Sequence, residues 1–362
     1  MSLLTKSLFS THSHWTIFCR VVDNHGDLGV CWRLATQLAQ RQKQVSLYVD
    51  EASALQWMAP DGCEGVKVLA WPDDNTALAP YAPADVVIEA FGCELPPTFQ
   101  AAMAAWPKAP VWINLEYFSA EAAALHNHGL PSPVMSGPAK GMTKWFYYPG
   151  LTEGSGGVMG GLSAMTNSDL TGSDEKHAPH QPSALKISLF CYEPASLGLW
   201  LEQLNELPQS VVLSVTAGRA TQAVRQVLKA WSDPTKFVIE ELPYLSHPGF
   251  DAMLAAQDLN LVRGEDSLVR AIWAGKAFLW QIYPQNDGVH HAKLEAFLKT
   301  THAPDVVVQA HLAWNADQPT PLPLLSPFNM AEWTAWAQAL QQRLHAQTDL
   351  LTRLESFVAT HG

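Results

Sequence analysis

Long hydrophobic runs and secretion signals are missing from this sequence. No stretch approaches the ~18 consecutive apolar residues that a membrane-spanning helix needs. The N-terminus carries one basic residue and no apolar run of the signal-peptide type. We therefore expect a soluble, cytoplasmic protein that neither crosses nor binds a membrane.

Cysteine is sparse and is not arranged in ligand or disulfide pairs. The five cysteines are odd in number, and no two of them have CxxC spacing. They are Cys19, Cys31, Cys63, Cys93 and Cys191. We expect reduced, partly buried thiols rather than a disulfide framework or a zinc site.

Positive charge is in deficit. The chain has 22 Lys and Arg against 34 Asp and Glu, which gives a net charge of −12. Sequence-independent binding to nucleic acid needs a basic surface, so this balance disfavours a nucleic-acid partner. An acidic surface instead suits a cationic substrate or a basic patch on a partner protein.

What the chain does have is enough apolar material for two domains. It contains 362 residues, of which 48% are hydrophobic, and this length exceeds that of one typical core. Strand and helix patterns alternate along it, which predicts parallel sheets built from βαβ units. The predicted strands cover residues 15–22, 45–49, 66–71, 85–90, 111–115, 185–191, 210–215, 236–239, 259–262 and 277–282.

The alternation stops once, in a polar segment rich in glycine and serine. We predict an N-terminal Rossmann-like acceptor domain over residues 1–150, a linker or insertion over 151–184 and a C-terminal Rossmann-like nucleotide-sugar domain over 185–328. A single long helical segment, about 329–359 within 329–362, is predicted to close the chain. This plan, two α/β halves facing each other across a cleft, is that of the GT-B glycosyltransferases. Some sugar-nucleotide epimerases share it, so the fold alone leaves both activities open.

The first of two motifs at strand-to-helix junctions is Asp-Asn-His-Gly-Asp-Leu-Gly at residues 23–29. Asp23 ends a predicted strand, and Asp27 precedes a predicted helix that begins at Leu28. One interpretation is structural, with Asp27 as the helix N-cap and Asp23 holding a turn. The other is that at least one carboxylate handles a proton or a cation.

The second motif is Arg-Gly-Glu-Asp-Ser at residues 263–267. It lies between a predicted strand and a helix that begins at Leu268, with Asp266 or Ser267 as the expected N-cap. Helix amides and Arg263 together could bind a pyrophosphate, while Glu265 accepts hydrogen bonds from ribose hydroxyls. The alternative is a solvated Arg263–Glu265 pair beside an ordinary helix cap.

Several blocks of sequence, in this order, resemble the protein-arginine rhamnosyltransferases that modify translation elongation factor P. The matching blocks are residues 18–35, 114–117, 148–150, 189–193, 263–270, 273–276 and 282–285. The resemblance implies a metal-independent, inverting GT-B enzyme without a cofactor. It would move L-rhamnose from dTDP-β-L-rhamnose to an arginine of elongation factor P, which helps that factor rescue ribosomes stalled on proline runs.

The resemblance also implies roles for individual residues. Asp23 and Asp27 would be the catalytic carboxylates on the acceptor side, with Asp27 as the better candidate for the base, and Glu265 is counted with them. The implied donor-binding residues are Phe190, Tyr192, Tyr244, His247, Arg263, Glu265, Asp266, Ser267 and Gln285. Tyr244 takes the position of an aromatic ring that stacks on thymine, and His247 stands where the family usually has a base-reading glutamine.

Arginine chemistry limits what the two aspartates can do. Full deprotonation of a guanidinium with a pKa of about 12.5–13.8 would cost about 7.5–9 kcal/mol at pH 7. We therefore expect Asp23 and Asp27 to hold the guanidinium and to accept its proton late, as the new bond forms. Two other activities stay open from the sequence: sugar-nucleotide epimerisation, and non-catalytic binding to a translation factor.

Overall fold

The computed structural model describes residues 13–22, 25–72, 81–161, 184–284 and 288–362. The chain divides into two compact units, each with its own sheet. The described residues of the first unit fall within Met1–Leu55, Asp61–Met159 and Thr348–Gly362, and those of the second within Gln56–Pro60 and Gly160–Gln347. Within this described part, no helix is both long enough and apolar enough to cross a membrane.

The first unit contains a seven-stranded sheet. Its strands are β1 (His14–Cys19), β2 (Gln44–Val49), β3 (Val66–Ala70), β4 (Val86–Ala90), β5 (Val111–Leu115), β6 (Pro131–Pro133) and β7 (Thr143–Tyr147). Its order is β3-β2-β1-β4-β5-β7-β6, and the pairs are parallel except for β6 with β7. The central strands are buried on both faces, as expected for a parallel sheet covered by helices.

Helices connect these strands. They are α1 (Gly26–Gln40), α3 (Pro97–Ala104) and α4 (Ala122–Asn127), while α2 (Leu55–Met58) follows β2 in the chain but belongs to the second unit from Gln56 onward. The apolar stripe of α1 that the sequence predicted, including Cys31, Leu34 and Leu38, is buried. An aromatic cluster fills one side of the unit, where the ring of Phe18 stacks on Tyr48 at 4.7 Å.

The second unit contains a five-stranded, fully parallel sheet. Its strands are β8 (Leu185–Leu189), β9 (Val211–Val215), β10 (Val238–Glu241), β11 (Leu259–Arg263) and β12 (Ala277–Gln281), and their order is β10-β9-β8-β11-β12. Its helices are α5 (Leu197–Glu206), α6 (Arg219–Leu228), α7 (His247–Ala256), α8 (Gly264–Ala274), α9 (Val289–Thr300), α10 (Asp305–Trp314) and α11 (Pro327–His345). Leu261 of β11 pairs with Leu189 on one side and Leu279 on the other, so the middle of the sheet is apolar.

The two sheets share one topology. Counted within each unit, the first five strands run in the order 3-2-1-4-5. This is the doubly wound order of dinucleotide-binding folds, in which the connections leave in opposite directions on either side of the first strand. Ligands bind at that switch point, beyond the carboxyl ends of the strands. The switch points lie between β1 and β4 in the first unit and between β8 and β11 in the second.

The predicted C-terminal helical segment is confirmed, but the prediction that it forms one continuous helix is wrong. The structure has two helices, α11 and α12 (Leu350–His361), separated by a short break. Asp349 causes the restart, because its side chain accepts a hydrogen bond from the backbone N–H of Thr352 at 2.9 Å and acts as an N-cap. The break lets α12 pack with the first unit while α11 belongs to the second.

Strand β7 and its edge partner β6 were not predicted. The sequence of β7, Thr-Lys-Trp-Phe-Tyr, has the β-branched and aromatic residues typical of strands but no clean alternation. All five cysteines are free thiols, as expected, and only Cys63 is not fully buried.

Candidate functional site

Asp27 is buried and fixed at the switch point of the first unit. It is the second residue of α1, and only 2% of its surface is exposed. Its Oδ2 accepts a hydrogen bond from the backbone N–H of Val22 at 2.8 Å, and its Oδ1 accepts one from the hydroxyl of Tyr117 at 3.1 Å. The positive end of the helix dipole also favours a carboxylate at this position.

The structural interpretation, in which Asp27 caps α1, is not the arrangement observed. The helix begins at Gly26, and its N-cap residue is His25, whose side chain makes no capping hydrogen bond. The carboxylate of Asp27 is turned back to the chain that precedes the helix, where it binds the amide of Val22. These hydrogen bonds therefore hold the Asp27 carboxylate in a fixed orientation and do not cap the helix. Asp23, the second predicted carboxylate, lies outside the described residues and stays a prediction.

The ends of β4 and β5 complete this region. The amide of Phe91 donates to the carbonyl of Leu115 at 2.7 Å, and the amide of Gly92 donates to Oδ1 of Asn114 at 3.2 Å. Asn114 in turn donates from Nδ2 to Glu116 Oε1 at 2.6 Å. The block 114–117, which supported the family resemblance without an assigned role, is thus part of the site.

Arg263 occupies the corresponding position in the second unit. It is the last residue of β11 and is 9% exposed. Its Nη1 donates to the carbonyl of Cys191 at 2.9 Å, and its guanidinium lies 4.4 Å from the ring centroid of Phe190 and 4.6 Å from that of Tyr192. The structure thus brings three of the predicted donor-binding residues together, around one fixed positive charge.

A second cation lies beside this group. The guanidinium of Arg219 is 4.9 Å from the ring centroid of Tyr192 and forms a two-armed ion pair with Glu193. That hydrogen-bonded pairing lowers the pKa of Glu193. Burial raises the pKa of the neighbouring Cys191 thiol to about 12, so this cysteine is neutral and unreactive.

Helix α8 begins earlier than the sequence predicted. It starts at Gly264, whose φ of +67° is readily adopted only by glycine, and its N-cap is Arg263. The expectation that Asp266 or Ser267 caps this helix is therefore wrong. The hydroxyl of Ser267 donates to the carbonyl of Arg263, and Asp266 pairs with Arg270 at 3.5 Å.

Glu265 sits in the first turn of α8 and is half-buried. The amides of this turn have no helical partners of their own, so the turn offers N–H donors to an anion. The proximity of Arg263 strengthens that preference. The binding roles of Glu265, Asp266 and Ser267 stay predictions.

The two residues expected at the nucleotide base differ in exposure. Tyr244, between β10 and α7, is 54% exposed, and its ring centroid lies 4.9 Å from that of Trp57. His247 is 6% exposed, and its backbone carbonyl accepts a hydrogen bond from Arg270 at 2.6 Å. Gln285 lies outside the described residues, so its contact with the donor also stays a prediction.

Sequence reasoning missed two side chains that organise these sites. Gln281, at the end of β12, accepts a hydrogen bond from the amide of Tyr192 at 2.8 Å and fixes the loop that carries the aromatic rings. Tyr117 bonds Asp27 from 90 residues away. Gln281 could have been identified from the sequence, because it is a polar residue at the end of a predicted buried strand.

One group of side chains in the described ranges has the chemistry of a metal site. The ligand atoms of His290, His291 and Asp317 lie within 4.8 Å of one another. None of the predicted catalytic or donor-binding residues belongs to this group.

Two Rossmann-like units, one with a fixed carboxylate and the other with a fixed guanidinium at its switch point, define a glycosyltransferase of the GT-B fold. The calicheamicin glycosyltransferase CalG4 has this fold, with a TM-score of 0.50 at 13% identity over 96% of this chain and 98% of that one. The sequence model of the family described as Elongation-Factor P (EF-P) rhamnosyltransferase EarP matches residues 15–359, and the chain belongs to that family.

Individual relatives agree with this assignment. The protein-arginine rhamnosyltransferase of Pseudomonas putida is 39% identical over 95% of this chain and 98% of its own length. A solved structure described as the structural basis for EarP-mediated arginine glycosylation of translation elongation factor EF-P is 28% identical. It superimposes with a TM-score of 0.61 and covers 95% of this chain and 98% of that one.

Proposed function

We propose that this chain transfers L-rhamnose from dTDP-β-L-rhamnose to an arginine side chain of translation elongation factor P, with inversion at the anomeric carbon and without a metal ion. The observation that carries the proposal is the fixed, buried carboxylate of Asp27 at a ligand-binding switch point. Membership of the EarP family and the names of its relatives support rhamnose as the transferred sugar and an arginine of elongation factor P as the acceptor.

On the acceptor side, Asp27 holds the guanidinium. The hydrogen bonds from Val22 and Tyr117 hold its carboxylate at the carboxyl end of the sheet, where a negative charge attracts a cationic guanidinium. Asp23, four residues earlier, supplies the second carboxylate. Together they orient one guanidinium nitrogen towards the sugar and localise the positive charge on the others.

The reaction is a single displacement. The guanidinium nitrogen forms a bond to the anomeric carbon of rhamnose while the bond from that carbon to the phosphate oxygen breaks, and its electron pair leaves with dTDP. The nitrogen loses a proton as its bond forms, and Asp27 accepts it. Attack from the side opposite the leaving group inverts the anomeric centre.

On the donor side, positive charge stabilises the departing dTDP. Arg263 and the first-turn amides of α8 meet the diphosphate, and Glu265 accepts hydrogen bonds from ribose hydroxyls. Asp266 and Ser267 support that turn. Phe190 and Tyr192 flank the guanidinium, while Tyr244 stacks on thymine, with His247 and Gln285 near the base.

The test is mass spectrometry of elongation factor P after incubation with the full chain and dTDP-β-L-rhamnose. A deoxyhexose added to one arginine supports the proposal. Turnover of the sugar nucleotide without a modified protein would instead identify an epimerase, and complex formation without any turnover would identify a binding protein.

Asp27→Asn is the discriminating variant. It removes the proton acceptor but keeps the size of the side chain, so we expect transfer to fall by about 10²- to 10⁴-fold. Calorimetric binding of dTDP-β-L-rhamnose should be unchanged, because the donor residues are in the second unit. Asp61→Asn, at an exposed position of the first unit, is the matched control and should retain full transfer. Loss of donor binding in Asp27→Asn would contradict the assigned role.

A further inference from the structure

The contact between Tyr117 and Asp27 joins two distant parts of the first unit. The hydroxyl of Tyr117, just beyond β5, donates to Asp27 Oδ1 in the first turn of α1 at 3.1 Å. The other oxygen of Asp27 is held by the amide of Val22, which precedes the helix. The carboxylate is therefore held by donors from two different chain segments.

Two hydrogen-bond donors restrict the rotation of the Asp27 carboxylate more than one donor can. The terminal torsion of an aspartate is broad, so a carboxylate held at one oxygen can still rotate about its Cβ–Cγ bond. A second donor at the other oxygen removes that rotation. The Tyr117 hydroxyl thus helps to fix the plane of the carboxylate.

Tyr117 is itself fixed by Phe91. Their rings are stacked, with centroids 4.3 Å apart and planes 13° from parallel. The amide of Phe91 donates to the carbonyl of Leu115, and this hydrogen bond holds the backbone of Phe91 beside β5. Leu115 is two residues before Tyr117.

The backbone of Phe91 is strained in this position. Its φ is +57°, in the left-handed region that bulky residues rarely adopt, and Gly92 follows with a φ of +64°. Such strain persists only where the surrounding structure enforces it, and it concentrates at functional sites. Glycine would adopt this φ without strain, but it would leave Tyr117 without its stacking partner.

We propose that Tyr117 is a positioning residue for Asp27 and that Phe91 is the platform that aims its hydroxyl. This inference rests on the proposed function, in which Asp27 holds the acceptor guanidinium. Tyr117 acts through the orientation of Asp27, while the donor sugar nucleotide is bound by other residues. Its loss therefore affects turnover and leaves the donor KM unchanged.

Tyr117→Phe tests this directly, because it removes one hydroxyl and keeps the ring that stacks on Phe91. We expect kcat for transfer to elongation factor P to fall by about 10- to 100-fold, the loss expected for a hydrogen bond to a charged group. The KM for dTDP-β-L-rhamnose should stay at its parent value, and the thermal midpoint should fall only by the small amount that one lost hydrogen bond causes, so that the variant is fully folded in the assay. Phe91→Leu, which removes the stacked ring, should lower kcat in the same way but by less.

Tyr81→Phe is the matched control. Tyr81 is a half-buried tyrosine of the same unit whose hydroxyl contacts Thr98 at 3.4 Å, away from Asp27. It should keep the parent kcat. A purely structural role for Tyr117 would instead lower the thermal midpoint of Tyr117→Phe without a selective change in kcat, and that result would overturn the inference.

Hydrogen–deuterium exchange separates this inference from the proposed function. In Tyr117→Phe the carboxylate of Asp27 loses the hydrogen bond at Oδ1 and is held less firmly, so the peptide containing the Val22 amide should lose protection, whether or not the chain modifies elongation factor P. If the parent chain transfers rhamnose but Tyr117→Phe keeps both its kcat and its Val22 protection, only the positioning role fails. If the parent chain fails to transfer, the proposed function fails, and the exchange result still decides whether Tyr117 holds Asp27.

Discussion

Arg263 allows the sharpest test of the site in the second unit, because three contacts converge on one nearly buried guanidinium. It donates to the carbonyl of Cys191, and it lies against the rings of Phe190 and Tyr192. Arg263→Lys keeps the positive charge but replaces the planar fork with a single ammonium group. The substitution therefore separates the shape of the side chain from its charge.

The expected cost follows from those contacts. A hydrogen bond to a charged group contributes about 1.5–3 kcal/mol, and each cation–π contact contributes about 0.5–2 kcal/mol. Lysine can reach one ring, so we expect a net loss of about 2–4 kcal/mol in the free energy of unfolding of the second unit. For a unit of this size, that loss lowers the melting temperature by roughly 4–16 °C.

Two measurements check this expectation. Scanning calorimetry gives the melting temperature of the second unit, and titration calorimetry gives the affinity for dTDP, which we expect to fall by about tenfold or more, because lysine cannot bind a phosphate through two parallel hydrogen bonds. Arg225→Lys is the matched control, since Arg225 is an exposed arginine of the same unit that pairs with Glu241. It should leave both quantities unchanged.

The reasoning would be refuted by a stable variant that binds normally. If Arg263→Lys melts within a degree or so of the parent and binds dTDP equally well, the guanidinium does not organise the site. If it melts lower but binds dTDP with unchanged affinity, Arg263 supports the fold and the diphosphate lies elsewhere.

Two further predictions concern stability. Gly156→Ala should destabilise the first unit by about 1–3 kcal/mol in chemical unfolding, because a Cβ there would overlap the ring of Tyr147, whereas Gly154→Ala has open space around it and should be neutral. Burial lowers the pKa of His311 from 6.5 to about 4, and its Nε2 accepts a hydrogen bond from the amide of Trp280. The unfolded chain binds this proton more readily, so the second unit should lose about 3 kcal/mol of stability between pH 6.5 and 4. His311→Gln should flatten that pH dependence, and an equally steep loss in the variant would assign it to other groups.

Local patterns were sufficient for every strand of the two sheets except β6 and β7. The runs at β1, β4, β5, β8 and β11 are continuous and apolar because these strands are buried on both faces, and such runs are visible in sequence. The family resemblance and the GT-B fold were confirmed, as was the strand-to-helix position of the second motif and of the described part of the first, residues 25–29. These strands can be predicted because burial on both faces is enough to require a continuous apolar run.

Helix starts were predicted less well, and for a specific reason. Asp27, Asp266 and Ser267 are residue types that favour N-caps, so propensity placed the helix starts at or beside them. In the structure, each of these side chains makes a hydrogen bond to another group instead of capping the helix. Asp27 binds the amide of Val22, Asp266 binds Arg270, and Ser267 binds the carbonyl of Arg263. At all three positions, another contact close by in the sequence took the place of the capping hydrogen bond.

The contacts of the site could not be predicted at all. The hydrogen bond from Tyr117 to Asp27 spans 90 residues, and the bond from Arg263 to Cys191 spans 72. A single sequence gives no register between distant strands, so it identifies candidate residues without saying which of them touch. The left-handed backbone of Phe91 was equally invisible, because nothing in its side chain favours that conformation.

The same topology carries opposite charges in the two units. In the first, the switch point between β1 and β4 holds the carboxylate of Asp27, supported by the Tyr117 hydroxyl. In the second, the switch point between β8 and β11 holds the guanidinium of Arg263 between two aromatic rings. A fold that specified function would give both units the same ligand. Under the proposed function, the carboxylate at the strand ends of the first unit would bind the cationic acceptor and the guanidinium of the second would bind the anionic donor, which is the pairing that transfer from a nucleotide sugar to arginine requires.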